Sequence, residues 1–238
     1  MFKEATSEPG LLSRIGELRA IAEFGTLLPA LPALMTAPKG DGHAVLVLPG
    51  VLTGDTSTAI LRAYLNELNY DTHPWKLGHN WGPNPRIHQA LRHRLVELAD
   101  RYQRRISLIG WSMGGVFARE LARQLPMHVR QVITLGSPIA ATYDGGGSIG
   151  AELASRSSIT PPVPCTSIYS RSDGVVPWAA CREQIGPQTE NIEVPAASHI
   201  GMGVNPLVLW AVADRLAQPE GQWKPFDRSG VSSFFYAD

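Results

Sequence analysis

Cysteine is scarce in this chain: Cys165 and Cys181 are the only two in 238 residues. Two thiols cannot make the disulfide framework that staples small secreted domains. They have no CxxC spacing and no histidine cluster beside them, so no metal site is outlined. They either pair or sit as two small buried apolar side chains. Net charge is missing as well, with 21 basic against 21 acidic residues. That excludes the basic footprint a nucleic-acid partner requires and points to a neutral or apolar substrate. A basic start is also absent: MFKEATSEPG is acidic where a signal peptide needs positive charge. No long hydrophobic run exists either. Leu27, Leu28, Leu31 and Leu34 are interrupted by Pro29 and Pro32, and Arg14, Glu17, Arg19 and Glu23 break the stretch upstream. A membrane span needs about 20 apolar residues. The expectation is a chain with no transmembrane segment and no export signal, located in the cytoplasm.

What is present is an alternation of strand-like and helix-like segments. Leu11, Ile15, Leu18, Ile21 and Ala22 fall at helical spacing, which predicts an amphipathic helix over 11–28, followed by a Pro-rich run from Pro29 to Pro38. Ala44 to Leu48 is a continuous aliphatic run, the pattern of a strand covered on both faces. Helices are predicted at about 57–68, with Asp55, Thr56 and Ser57 as candidate N-caps, at 85–102, at 113–124, and at 206–216 with proline in the first turn. Strands are predicted near 70–75, 106–109, 132–135, 163–169 and 191–194. Repeated strand–helix–strand order implies an α/β fold with a mostly parallel sheet of about six strands and helices on both faces, a three-layer sandwich. We read 1–238 as a single domain: an N-terminal helical segment (1–43), a core (44–216) and an aromatic tail (217–238). Trp223, Phe226, Phe234, Phe235 and Tyr236 in that tail imply that it packs on its own domain or on a neighbour.

Chemistry is concentrated in Gly110-Trp111-Ser112-Met113-Gly114, a G-x-S-x-G pattern entered by an apolar strand and left by a helix-forming stretch. A strand turning straight into a helix strains the backbone at Ser112 and leaves no room for side chains at Gly110 and Gly114. The hydroxyl then stands at a helix N-terminus, where orphan N–H groups favour developing negative charge. Ser112 as a mere helix cap would not call for glycine on both sides. With Leu48-Pro49-Gly50 after the first core strand and Leu135-Gly136-Ser137-Pro138 after a later one, the chain resembles the α/β-hydrolase superfamily over most of residues 44–216. Within it, the Pro-Gly loop and the Gly-Trp-Ser-Met-Gly-Gly elbow are similar to bacterial lipase-like esterases.

The resemblance implies a catalytic triad in the chain order serine, acid, histidine. Of seven histidines only His128 and His199 follow Ser112. His128 stands at the far end of the helix that Ser112 begins, whereas His199 lies in the loop before the last helix, where the family keeps its base. Asp173, in Ser172-Asp173-Gly174-Val175-Val176-Pro177, resembles the family's acid loop; its rival Asp144 falls in a glycine-rich turn. Met113 N–H supplies one oxyanion donor by position in the motif, and Val51 N–H is the implied second, with Leu52 as the fallback. Pro49 stands where many relatives carry histidine. Leu52, Val175, Val176, Trp178 and Met202 are candidate substrate contacts, and the short segment 139–162 implies little or no cap. The reaction implied is cleavage of a small-molecule or lipid-like carboxylic ester through an acyl-enzyme, with no cofactor. A thioesterase or acyltransferase would use the same groups, and a ligand-binding protein on a hydrolase scaffold is the reading from another class.

Overall fold

The computed structural model describes residues 16–140 and 158–236. Its centre is a sheet of six strands, all parallel: β1 (Ala44–Leu48), β2 (Asp71–Pro74), β3 (Ile106–Trp111), β4 (Val129–Leu135), β5 (Cys165–Tyr169) and β6 (Thr189–Glu193), in the order β2-β1-β3-β4-β5-β6. The order reverses between β2 and β3, so β1 lies between them and the loop after β1 opens next to the end of β3. Crevices at such a switch, beyond the carboxyl ends of the strands, are where open α/β sheets place their sites.

Alternation along the strands explains the layers. Val45, Val47, Ile109, Ile133 and Leu135 pack into one buried cluster with helices α1 (Ala20–Leu34), α2 (Ala59–Glu67) and α5 (Pro206–Leu216). Ala44, Leu46, Leu48, Leu108 and Val132 point the other way, against α3 (Pro85–Tyr102) and α4 (Met113–Gln124). Both faces are therefore covered, which is why the central strands read as unbroken aliphatic runs. Each fully buried Leu, Ile or Val contributes about 1.5–3 kcal/mol of transfer free energy.

Two expectations shift, the end of the first helix and the role of Asp55. The first helix, described from residue 16 on, has a 3-10 turn over Glu17–Arg19 and continues past the expected end, through Pro29 and Pro32, to Leu34. A proline inside a helix forfeits a backbone bond; here Leu34, with Leu27 and Ala30 beside it, packs into the α5 side of the core and holds the helix on. Leu11 and Ile15 lie outside the described residues. Asp55 caps no helix: its carboxylate accepts the N–H groups of Trp75 and Lys76, stapling the loop after β2. The tail packs on its own domain through Phe226 and Tyr236, buried and edge-to-face at 4.7 Å, with Tyr236 Oη donating to Leu207 O at 2.8 Å. Cys165 and Cys181 are both free and buried; burial pushes the Cys165 thiol up to about 11. No helix among the described residues is long and apolar enough to cross a membrane. The cap segment falls largely on 141–157, outside the described residues, as does Asp144.

Candidate active site

Ser112 follows the last residue of β3 and precedes the first of α4, with φ 53° and ψ −124° and no side-chain capping bond to the helix. The conformation is held from both sides: Ser112 N donates to Leu135 O on the neighbouring strand at 2.8 Å, and the flanking glycines close the turn. A Cβ on Gly110 would collide with the backbone of Gly114 and Gly115, and one on Gly114 would collide with the carbonyl of Leu48. Gly114 therefore serves a contact that the five-residue motif does not itself reveal, the close approach of the end of β1 to the start of α4. That approach brings the loop carrying Val51 beside the N-terminus carrying Met113.

His199 and Asp173 arrive on the loops after β6 and β5. His199 Nδ1 stands 2.7 Å from Asp173 Oδ2, and both residues are buried. The other oxygen, Asp173 Oδ1, accepts the N–H groups of Val175 and Val176, each at 2.8 Å. With both oxygens committed, the carboxylate has one orientation, and it faces the imidazole. Trp111 Nε1 donates to His199 O at 3.1 Å, which ties the residue before Ser112 to the histidine loop. His128 sits in a 3-10 turn beyond the far end of α4.

The loop after β1 is shaped by Asn80, a buried residue in the Gly/Pro/Asn-rich segment from Gly78 to Pro85. Its side-chain nitrogen donates to Pro49 O at 3.0 Å, its backbone oxygen accepts from Leu52 N at 2.7 Å, and its backbone nitrogen donates to Thr53 O at 2.8 Å. The Leu52 N–H, the fallback expected as an oxyanion donor, is thereby engaged within the protein. Of the expected substrate contacts, Leu52 and Val175 are exposed. Val176 packs with Tyr169, Ala180 and Cys181, and Met202 is in the core under the site. Trp178 stacks on Tyr169 at 6.1 Å beneath the Arg171 guanidinium, 4.4 Å from its ring centre. Val176 and Met202 are buried and Trp178 is half-buried.

A family model described as a PGAP1-like alpha/beta domain matches residues 86–144, which span α3, β3, the Ser112 turn, α4 and β4. Among solved structures, Aspergillus fumigatus lipase B superposes with a TM-score of 0.61 at 16% identity, covering 82% of this chain and 56% of that one. A Bacillus licheniformis lipase in mature form superposes with a TM-score of 0.56 at 14% identity, covering 77% of this chain and 95% of that one. The chain has the α/β-hydrolase fold. In sequence, the chain is 27% identical over 146 residues to the serine hydrolase BPHL of Mus musculus, covering 55% of this chain. It spans 50% of that relative's length.

Several residues of the site carry no signal in the sequence read alone. Asn80 is one; Glu17 and Glu23 of the first helix are others. Both glutamates are buried against the Asp173 and His199 loops. In the sequence they do no more than interrupt the apolar stretch, and only the tertiary arrangement shows their partners. Among the described residues, no group of three His, Cys, Asp or Glu side chains is arranged to hold a metal ion.

Proposed function

We propose that the protein is a serine hydrolase that cleaves carboxylic esters through an acyl-enzyme, with Ser112 as nucleophile, His199 as base and Asp173 as the acid that orients it. One observation carries the reading: the 2.7 Å contact of His199 Nδ1 with a doubly anchored Asp173 carboxylate, on loops beside a serine at φ 53°. An acid fixed on Nδ1 keeps that nitrogen protonated and leaves Nε2 free to accept the serine proton. The strained turn lifts the hydroxyl out at a helix N-terminus, and the first N–H of that helix, on Met113, is where charge develops on the substrate oxygen. Val51 N–H, on the loop held by Asn80, supplies the second donor.

The steps follow from those positions. His199 takes the Ser112 proton as the hydroxyl oxygen bonds to the ester carbonyl carbon, and the carbonyl oxygen becomes an oxyanion between Met113 and Val51. Collapse expels the alcohol, which leaves with the proton returned by His199. Water, deprotonated by His199, then releases the acid and restores Ser112. The fold's similarity to lipases and the match to a serine hydrolase support this class of reaction, and exposed Val51, Leu52 and Val175 suit an apolar acyl group.

The test is hydrolysis of p-nitrophenyl esters of increasing acyl length by the wild type and by Ser112→Ala. Turnover that disappears in Ser112→Ala, with stoichiometric labelling of the wild type by an organophosphonate, is the expected result. A folded wild type inert to every ester and to the label would overturn it; turnover restricted to thioesters would move the substrate class while keeping the machinery.

A further inference from the structure

At its start, ahead of the part that Leu34 anchors, the first helix is amphipathic in the wrong sense for ordinary docking. Ile21, Phe24 and Leu28 are exposed, and the side chains it buries at its start are two carboxylates, Glu17 and Glu23. A helix attached only for stability buries its apolar stripe, and buried carboxylates are costly unless fully hydrogen-bonded. These two are satisfied, and their partners are specific. Glu17 Oε1 accepts Gly174 N at 2.7 Å and His199 N at 3.0 Å, while Glu17 Oε2 accepts Ile200 N at 2.9 Å. Glu23 Oε1 accepts Ser198 N at 2.8 Å and Oε2 accepts Asn205 Nδ2 at 3.0 Å. Between them, Arg19 donates to Ser172 O.

Every one of these bonds falls on a residue within the loops of Asp173 and His199 or just beyond them. One Glu17 carboxylate joins the residue after Asp173 to the backbone of His199 itself, beside the direct tie between the two loops from Ser172 Oγ to Ala197 O at 3.1 Å. A third element, from outside the core sheet, thus braces acid and base against each other.

We propose that Glu17 is a positioning residue for the Asp173–His199 pair, with Glu23 securing the same loop from the other side, so that the N-terminal helix is a working part of the active site. This rests on the assignment of His199 and Asp173 under the proposed function. The chemistry dictates what a substitution does. Glutamine has one acceptor oxygen and an NH2 group that cannot face an N–H donor, so Glu17→Gln leaves at least one of the three buried N–H groups without a partner. The two loops then move relative to each other, and a misplacement of about 1 Å in such a constellation costs about 10²-fold in rate.

The experiment compares wild type, Glu17→Gln, Glu17→Asp and the exposed-face control Ile21→Ser. It uses p-nitrophenyl ester kinetics, thermal unfolding and 15N shifts of the His199 ring, which report its tautomer without needing a substrate. The expected result is a kcat lower by about 10²-fold in Glu17→Gln with KM nearly unchanged, partial recovery in Glu17→Asp, and wild-type behaviour in Ile21→Ser. The His199 shifts should move from the Nδ1-protonated pattern toward a tautomer mixture in Glu17→Gln. Wild-type kcat and wild-type His199 shifts in a folded Glu17→Gln would overturn the proposal. If Glu17→Gln does not fold, unchanged kcat and shifts in Glu17→Asp would overturn it equally. A wild type without esterase activity whose His199 shifts still respond to Glu17 would sink the ester reading and leave the positioning role standing.

Discussion

Gly136 lies directly under the His199–Asp173 pair: a Cβ there would stand 3.2 Å from His199 Nδ1 and 3.0 Å from Asp173 Oδ2. The residue also has φ +54°, a region costly for any side chain. Two physical demands therefore meet at one position, backbone handedness in the turn after β4 and clearance for the hydrogen bond above it. Gly136→Ala is expected to lose stability by about 1–3 kcal/mol and kcat/KM by about 10²-fold. Urea unfolding and ester kinetics on the same preparation would check both. A variant with lowered stability but full activity would show that the turn yields without disturbing the pair.

Asp173 makes two kinds of bond, and a substitution can separate them. Asparagine keeps an acceptor for Val175 N and Val176 N, and so holds the loop. It then turns an NH2 group toward His199 Nδ1, which favours the tautomer with the proton on Nε2, where the serine proton must go. Asp173→Asn should fold normally and lose about 10⁴-fold in kcat. Ester turnover measured beside circular dichroism would test it; turnover within tenfold of wild type would remove Asp173 from the mechanism.

The core was legible in the sequence because parallel strands covered on both faces read as aliphatic runs, as Ala44 to Leu48 does. The elbow was legible because Gly110 answers to local geometry around Ser112, whereas the need for glycine at Gly114 comes from Leu48 at the end of β1. The supports were not. Glu17 makes its bonds to residues more than 150 positions away in sequence, and a lone glutamate in a helical pattern carries no mark of such partners. Asn80 looked like loop composition. Pro29 and Pro32 argued locally for a helix end, and packing of Leu34 against the core overrode them.

A second Ser–His–Asp chain exists in the molecule. His43 Nε2 stands 2.9 Å from Ser107 Oγ, and His43 Nδ1 stands 2.5 Å from Asp41 Oδ1. Ser107 and His43 are fully buried at the starts of β3 and β1, the opposite end of the sheet from Ser112. No substrate reaches them, and Ser107→Ala should leave ester hydrolysis unchanged. Their effect is on stability. Burial, with Arg130 nearby, lowers His43 to about 4 despite its bond to Asp41. Burial raises Asp41, but hydrogen bonds from His43, Arg104 and Arg130 outweigh it and hold the carboxyl well below its usual range. A histidine depressed on folding contributes stability that is complete above about 6.5 and is lost as pH falls toward 4. The urea midpoint should therefore drop between pH 6.5 and 4, and the drop should flatten in His43→Gln. Equal slopes in both proteins would assign the acid sensitivity elsewhere.

Asn80 offers the sharpest separation of loop shape from triad chemistry. It touches none of the three candidate catalytic side chains, yet its side chain bonds Pro49 O and, through Oδ1, Gly82 N at 3.0 Å. Removing that side chain leaves buried backbone groups without partners, at about 1–3 kcal/mol, and frees the loop that carries Val51. If Val51 N–H is an oxyanion donor, Asn80→Ala should slow turnover by about 10²-fold, the loss typical of one donor. The His199 and Asp173 geometry would be untouched, so the 15N shifts of the His199 ring should stay as in the wild type. The organophosphonate should also label Ser112 more slowly, because phosphonylation develops charge on an oxygen in the same place. Normal labelling and turnover in a folded Asn80→Ala would mean that the second donor lies on a different loop.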